Sequence, residues 1–285
     1  MVSDQGSTLQ SGSKPAPPKE LTTRVLSALV MVVIALAAAY WGGWPFALFW
    51  LAAGIAIMVE WTRMTGVKPR LMVQAVLALG LAVLTGLFLA DARIGFFIAA
   101  GLFFLVAGAL VTGGTTDRIW SATSFLYAAP IVLVPPIVRD HPELGLLGLL
   151  WMFAVVWATD VAAYFTGRTL GGPKLCPPIS PKKTWSGFIG GIVAAALGGV
   201  LVAWAGQKFG LSLPFGLLGT ALISIVASVA SQIGDLGESA LKRHCNVKDS
   251  SHLIPGHGGV MDRLDGFWAV CLIVAAVLLT FHFLP

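Results

Sequence analysis

The chain is poor in charged residues and in cysteine. Asp, Glu, Lys and Arg make up 11% of its 285 residues, whereas an ordinary globular domain carries about 25%. So few charges cannot solvate a soluble fold or keep a chain disordered, which excludes a soluble enzyme and a disordered protein. Three widely spaced cysteines without a CxxC pair favour neither a disulfide framework nor a structural zinc site.

Apolar residues dominate instead and make up 57% of the chain. They form continuous runs of about 20 residues, the length that an α-helix needs to cross a bilayer. The runs do not alternate as the strands of a membrane β-barrel would, and there are too many for a single-anchor protein. We therefore predict an all-α, polytopic integral membrane protein with about nine transmembrane helices. The predicted helices cover residues 24–42, 44–61, 72–90, 95–112, 119–138, 144–166, 186–206, 214–234 and 267–284.

The chain is expected to have three parts. Residues 1–22 are polar and rich in Ser, Pro and Gly, which predicts a disordered cytoplasmic tail. The first apolar run is interpreted as a retained signal-anchor helix, because the preceding tail is too long and polar for a cleaved signal peptide. Transmembrane helices then occupy 23–140, and a region expected to carry the chemistry occupies 141–285. Its two long polar loops are predicted at 167–185 and 235–266.

The basic residues indicate the orientation in the membrane. With a cytoplasmic N-terminus, 15 of the 18 Lys and Arg residues fall on the cytoplasmic side, and only Arg93, Arg139 and Lys208 on the other. This matches the positive-inside rule and an odd number of helices. Topology thus accounts for the net charge of +5, so nucleic-acid binding is not expected. Both polar loops should face the cytoplasm.

Acidic residues are concentrated near the C-terminus. Five of the 13 carboxylates fall within residues 235–265, and they are Asp235, Glu238, Asp249, Asp262 and Asp265. Like charges repel strongly near a low-dielectric region, so a cation is expected among them, and a hard divalent metal suits oxygen ligands. The i,i+3 spacings of Asp235 with Glu238 and of Asp262 with Asp265 place each pair on one helix face. For Glu238, a solvated face paired with Lys242 is the alternative.

A glycine-rich segment, His252–Gly259, lies between these pairs and cannot be the interior of a helix. Such a loop can bring the backbone N–H groups of Gly258 and Gly259 to phosphate oxygens. Beside the carboxylates and the basic Lys242, Arg243 and Lys248, it predicts a phosphate-and-metal site. His257 is open to three interpretations: a donor to phosphate, a proton carrier, or a residue that packs the loop.

The other polar loop contains Ser180-Pro181-Lys182-Lys183-Thr184. Its two lysines can contact phosphates, or they can be ordinary cytoplasmic charges, and the absence of GxxxxGK[ST] excludes a P-loop. Upstream, Asp160 lies inside an apolar run with Tyr164 four residues on. An intramembrane carboxylate predicts a functional site, with a hydrogen bond between helices as the alternative. Small residues at Gly187, Gly191 and Gly198-Gly199 predict close helix packing.

These motifs resemble the signature of the phosphatidate cytidylyltransferases, also called CDP-diacylglycerol synthases. The matching positions are Ser239, Lys242, Arg243, Lys248, Asp249, Ser251, Ile254, Pro255, His257, Gly258, Gly259, Asp262, Arg263, Leu264 and Asp265. Upstream, Asp160, Ala163, Tyr164, Gly167 and Arg168, the segment 180–185, and Gly234-Asp235 with Glu238-Ser239 are similar to the same family. Ser186 departs from it, since members often have Glu or Gln there. The resemblance covers about residues 150–285.

The resemblance implies a helical membrane enzyme, a homodimer, that converts CTP and phosphatidate to CDP-diacylglycerol and pyrophosphate with Mg²⁺. We expect Asp235, Asp262 and Asp265 to hold the metal, a second cation to share these ligands, and Lys242 and His257 to act with them. Substrate phosphates are assigned to Ser180, Lys182, Lys183, Thr184, Ser239, Arg243, Lys248, Asp249, Gly258, Gly259 and Arg263. Asp160, Tyr164 and Glu238 are expected in support. A bacterial inner membrane with a cytoplasmic active site is the expected location.

Two alternatives are open. The first is another CTP-dependent membrane lipid enzyme, either a polyprenol kinase or an ether-lipid cytidylyltransferase, although these usually lack the full 239–265 pattern. The second is an ion-coupled transporter that uses Asp160 and Asp235, which leaves the glycine-rich and lysine-rich loops without a role.

Overall fold

A computed structural model of the chain describes residues 18–280 and, apart from Ala28, the side chains from Leu26 onward. The described part contains nine helices and one small hairpin. The helices are α1 Pro18–Trp41, α2 Gly43–Met64, α3 Arg70–Leu89, α4 Ile94–Leu110, α5 Thr115–Asp140, α6 Gly145–Leu170, α7 Trp185–Gln207, α8 Gly216–His244 and α9 Met261–Thr280. The strands β1 Lys174–Cys176 and β2 Ser180–Thr184 pair antiparallel between α6 and α7.

The predicted all-α architecture is confirmed, with three local differences. Helix α1 begins at Pro18, inside the segment predicted as tail, and residues 1–17 lie outside the described part. The segment 235–266 is not a loop throughout, because α8 continues to His244 and α9 begins at Met261. Basic residues occupy the last turn of α8, and Asp262 lies in the first turn of α9. These charges interact favourably with the helix dipoles, so both helices can extend into the polar sequence.

Seven of the described helices, all except α1 and α4, are long and apolar enough to cross a membrane, and the chain is an integral membrane protein. Contacts show that the helices alternate in direction. The start of α5 meets the end of α8, with the Trp120 and His244 rings 5.8 Å apart. Gln74, near the start of α3, donates to Thr62, near the end of α2. The rings of Trp61, near the end of α2, and Trp120 lie 6.3 Å apart, so α3 and α5 begin at the same end of the bundle. The 17-residue α4 must therefore run from one end of the bundle to the other, which agrees with the predicted odd number of passages.

Helix α7 is packed through small residues. Its buried face consists of Gly187, Gly191, Ala195, Gly199, Ala203 and Gly206, while the opposite face exposes Ile189, Val193, Leu197 and Leu201. Small side chains inside and large apolar side chains outside are typical of a helix that faces lipid. A Cβ atom on Gly187 would lie 2.7 Å from the Ala163 carbonyl of α6. The predicted close packing at Gly187 and Gly191 is confirmed.

The core has two parts. In one, Trp50 of α2 stacks on Phe267 of α9 with ring centroids 5.1 Å apart, and Phe153 of α6 packs beside both rings. In the other, large side chains of α3, such as Leu77 and Leu81, fill the space among α2, α4 and α5. Trp50 thereby ties the N-terminal helices to α9, whose first turns carry Asp262 and Asp265.

Candidate active site

Three carboxylates meet where the C-terminal part of α8 faces the start of α9. One oxygen each from Asp235, Glu238 and Asp265 lies within 4.8 Å of the others. The i,i+3 spacing on α8 presents the first two on one face, and α9 supplies the third. Three acids this close repel one another strongly unless a cation lies among them. Carboxylate oxygens are the donors that Mg²⁺ prefers, so this group is a candidate metal centre.

The surroundings of Glu238 show whether these three residues suit a metal ion. Its side chain is fully buried, and Lys242 Nζ lies 2.7 Å from Oε2. Neither carboxylate oxygen has a hydrogen-bond partner of normal geometry among the described residues. The ion pair gives Glu238 charge compensation without a directed hydrogen bond. A buried carboxylate in this state costs free energy, and a bound divalent ion would satisfy it.

The carboxylate of Asp262, which was predicted as a metal ligand, is engaged by protein donors. Its Oδ1 receives Lys242 Nζ at 2.7 Å, and Oδ2 accepts hydrogen bonds from Ser250 N, Ser250 Oγ and Gly259 N at 2.8–2.9 Å. Asp262 lies outside the group of three carboxylates, which includes Glu238. The i,i+3 spacing predicted that Asp262 and Asp265 share a face. Both carboxylates meet α8, but Asp262 contacts Lys242 there, whereas Asp265 lies with Asp235 and Glu238. Asp262 instead orders the glycine-rich loop.

Lys242 lies between two acids. The same ammonium is 2.7 Å from Glu238 Oε2 and 2.7 Å from Asp262 Oδ1. It therefore connects the carboxylate group to the glycine-rich loop and offsets part of the negative charge of both. Lys242 thus lies among the predicted site residues, and the burial of Glu238 favours a buried acid over a solvated helix face.

The hairpin brings one of its two lysines to the carboxylates. Lys183 Nζ lies 2.6 Å from Asp235 Oδ2, while Lys182 points to the exposed side of the strand. Thr184 caps α7 by accepting from Gly187 N, and it also hydrogen-bonds Ser186, which donates to the Gly171 carbonyl. Alternation along β2 thus separates the two lysines, and Thr184 is a helix cap.

The glycine-rich loop closes through Ile254 and Gly258, which form a β-bridge. Gly256 and Gly258 have φ angles of 76° and 84°, in the left-handed region that favours glycine. His257 Nδ1 lies 2.8 Å from Ser27 Oγ of α1. This contact favours the packing interpretation of His257. It also shows that α1 reaches the site through Ser27.

Glu60 of α2 is a site residue that the sequence reasoning missed. It is 3% exposed and accepts four hydrogen bonds from residues that flank the glycine-rich loop on both sides. The donors are Ser250 Oγ, Ser251 Oγ, Val260 N and Met261 N, at 2.7–3.1 Å. A carboxylate inside the apolar run predicted at 44–61 was the signal that could have found it.

Four basic side chains surround these groups without ion pairs among the described residues. They are Lys182, Arg243, Lys248 and Arg263, and all are exposed. Asp249 is also exposed, and Ser239 makes only a long contact of 3.4 Å to Asp235. Such a rim of unpaired cations beside a metal-type cluster can attract a polyanion.

Asp160 and Tyr164, both expected to support the site, lie on the same helix and share no hydrogen bond among the described residues. The Tyr164 hydroxyl accepts a hydrogen bond from Arg168 Nη1 at 2.8 Å, one turn nearer the end of α6. Asp160 is exposed on α6 and lies within the electrostatic influence of Asp235, Lys183 and Arg263. It is near the carboxylate group without joining it.

Comparison with known proteins places the chain among membrane enzymes. The model of the cytidylyltransferase family matches residues 22–281. A phosphatidate cytidylyltransferase of Brucella suis is 42% identical over 91% of this chain and 92% of its own length. Proteins of the same name from Bacillus subtilis and Haemophilus influenzae are 34% and 33% identical, each over 87% of this chain and 94% and 95% of their own lengths. The similarity therefore includes the N-terminal helices, which the sequence motifs did not cover.

Proposed function

The chain belongs to the cytidylyltransferase family, and from this premise we propose that it is a phosphatidate cytidylyltransferase. The reaction joins CTP and phosphatidate to give CDP-diacylglycerol and pyrophosphate. The observation that carries the proposal is the group of Asp235, Glu238 and Asp265, at one end of a membrane bundle and beside basic side chains that form no ion pair with any described residue. A lipid phosphate and a soluble nucleotide can meet at such a place.

The chemistry fits these residues. A phosphate oxygen of phosphatidate attacks the α-phosphorus of CTP, the new P–O bond forms, and the bond to the β-phosphate oxygen breaks to release pyrophosphate. The nucleophile is already an anion at neutral pH, so no strong general base is needed. The reaction needs two polyanions held in line with their charges neutralised. This explains why the site combines cations with metal-type ligands and does not require His257 as a base.

We propose that Asp235, Glu238 and Asp265 hold Mg²⁺, with a second cation in the same site. When bound, the metal stabilises charge on the CTP phosphates. Lys183 holds Asp235 in place, and Lys242 holds Glu238 against Asp262. Arg243, Lys248, Arg263 and Lys182 neutralise the triphosphate or the lipid phosphate from the exposed rim.

We further propose that this end of the bundle faces the cytoplasm of a bacterial cell, in the inner membrane. The positive-inside distribution supports this orientation, because the site end carries most of the Lys and Arg residues. The homodimer implied by the resemblance is likewise a proposal. Light scattering of the purified protein in detergent, with the detergent mass subtracted, tests it.

Pyrophosphate release in detergent micelles tests the function. We expect release only when CTP, phosphatidate and Mg²⁺ are all present, with a CDP-lipid as the second product. A folded protein that is silent with phosphatidate would contradict the proposal. Release with an ether-lipid phosphate but not with phosphatidate would support an ether-lipid cytidylyltransferase. Formation of CDP instead of pyrophosphate with a polyprenol would support a polyprenol kinase, because a kinase transfers the γ-phosphate of CTP. Activity confined to sealed vesicles would support the transporter.

A further inference from the structure

Glu60 stands apart from the other acids of the site. It comes from α2, in the N-terminal half, whereas Asp235, Glu238, Asp262 and Asp265 all come from α8 and α9. It forms no ion pair among the residues whose side chains are described, although it is buried. Four hydrogen bonds replace a counter-ion. A buried carboxylate with this many donors is fixed in one orientation.

Two of the donors belong to the end of a helix. Val260 N and Met261 N donate to Oε1 and Oε2 at 2.9 and 2.8 Å, and Met261 is the first residue of α9. The first N–H groups of a helix have no partner within it, and the helix dipole favours a negative charge there. Glu60 therefore caps α9 from a different helix and fixes where α9 begins.

The loop is shaped to approach Glu60. A Cβ atom on Gly259 would lie 2.6 Å from both carboxylate oxygens of Glu60 and would collide with Ser250. Glycine at this position lets the backbone reach the carboxylate, which explains Gly259 without any contact to phosphate. Ser250 Oγ also lies 3.1 Å from Glu60 Oε2 and 2.9 Å from Asp262 Oδ2, so it links the two acids.

The consequence concerns Asp265. It lies four residues after Met261, about one helical turn, so any shift or rotation of the start of α9 moves its carboxylate relative to Asp235 and Glu238. Residues that orient metal ligands typically change metal affinity or activity about 10- to 100-fold when they are replaced. We propose that Glu60 is a positioning residue that sets Asp265 in the metal-binding group. This inference rests on the proposed function for its kinetic test.

The test compares Glu60→Gln, Glu60→Asp and the control Thr62→Val in purified protein. Gln keeps the shape but turns an NH₂ group toward N–H donors, and Asp keeps the charge on a shorter stem. Thr62 is buried two residues along α2, and its hydroxyl contacts Met58, Val59 and Gln74, away from the loop. Hydrogen–deuterium exchange of residues 249–261 reports the capping directly, and Mg²⁺ titration of pyrophosphate release reports the metal group.

For Glu60→Gln we expect faster exchange at 249–261 and a Mg²⁺ concentration for half-maximal rate raised about 10-fold or more. The KM for phosphatidate should change less than about 2-fold. A smaller folded fraction would lower the maximal rate without raising the Mg²⁺ concentration for half-maximal rate, so the Mg²⁺ titration separates the two causes. Glu60→Asp should recover part of the Mg²⁺ response, and Thr62→Val should match wild type. If Glu60→Gln does not fold, Ser251→Ala removes one donor and should raise the Mg²⁺ requirement by about 3-fold.

The inference would be overturned if folded Glu60→Gln had the Mg²⁺ response and the hydrogen–deuterium exchange of wild type. If Glu60→Gln does not fold, the same result in Ser251→Ala would overturn it. The proposed function fails separately, when wild type itself releases no pyrophosphate. In that case hydrogen–deuterium exchange still decides whether Glu60 caps α9.

Discussion

The two halves of the bundle solve different packing problems. Helices α2–α5 fill their interior with large apolar side chains such as Leu77 and Leu81, as an ordinary apolar bundle does. In the C-terminal half, α7 and α8 instead bury mainly glycine, alanine and hydroxyl-bearing side chains, and Thr159 of α6 donates to Ser228 of α8 at 2.9 Å. Close backbones and interhelical hydrogen bonds hold polar side chains in place inside a membrane. The C-terminal half therefore holds the charged side chains of the site in fixed positions. The N-terminal half contacts them through Glu60.

The largest difference between the halves should appear when one carboxylate is neutralised in each. Asp265→Asn removes the charge of one member of the metal-type group, so pyrophosphate release should fall roughly 100-fold or more. Asp140→Asn, at the exposed end of α5, is the matched change and should stay near wild type. Steady-state assays at saturating Mg²⁺ compare the two. Equal activity of both variants would remove the functional distinction between the halves.

Two neighbouring lysines of the C-terminal half should have different effects on the reaction. Lys183 pairs with Asp235, whereas Lys182 is unpaired and exposed among the described residues. Lys183→Ala should lower the rate about 10-fold because it frees Asp235 from its partner. Lys182→Ala should instead raise the KM for CTP a few-fold, as expected for a rim charge. Reversed effects in the same assay would show that the hairpin presents the other face to the site.

A methyl group added to one glycine in each half tests the packing difference. Gly187→Ala places Cβ 2.7 Å from the Ala163 carbonyl and should destabilise the protein by about 1–3 kcal/mol. Gly101→Ala on α4 meets no described atom within 4 Å and should be neutral or stabilising by up to about 1 kcal/mol. Thermal unfolding in one detergent compares them. A tolerated Gly187→Ala would mean that α6 and α7 can separate without loss.

The smallest effect concerns single hydroxyl groups. Thr159→Val removes the hydrogen bond between α6 and α8 and should cost about 0.6 kcal/mol. Thr85→Val on α3 removes a buried hydroxyl that bonds only within its own helix, to Leu81, and should cost less. The same unfolding assay resolves the order of the two. The opposite order would place the stronger polar contacts in the N-terminal half.

Much of the fold could be predicted from the sequence, because helix length and apolar content are local properties. The nine predicted helices correspond one to one with α1–α9, and the acids at 235–265 identified the region of the site. The i,i+3 spacing placed Asp235 and Glu238 together, since both lie on α8.

What could not be predicted depended on contacts between distant parts of the chain. Asp262 and Asp265 look equivalent in sequence, yet the loop's N–H groups engage Asp262 and leave Asp265 facing α8. Glu60 lies 190 residues from Ser250, so no local pattern links them. The role of Thr184 as a cap was hidden by its place in a motif that indicates phosphate binding.

Binding of Mn²⁺, a spectroscopic substitute for Mg²⁺, tests the metal centre most directly. Electron paramagnetic resonance of purified protein without substrate measures the affinity in wild type, Glu238→Gln and Asp262→Asn. We predict a tight site in wild type that weakens about 10-fold or more in Glu238→Gln and less in Asp262→Asn, where the ligands are indirectly affected. Wild-type affinity in Glu238→Gln together with a lost site in Asp262→Asn would contradict the assignment of Asp235, Glu238 and Asp265.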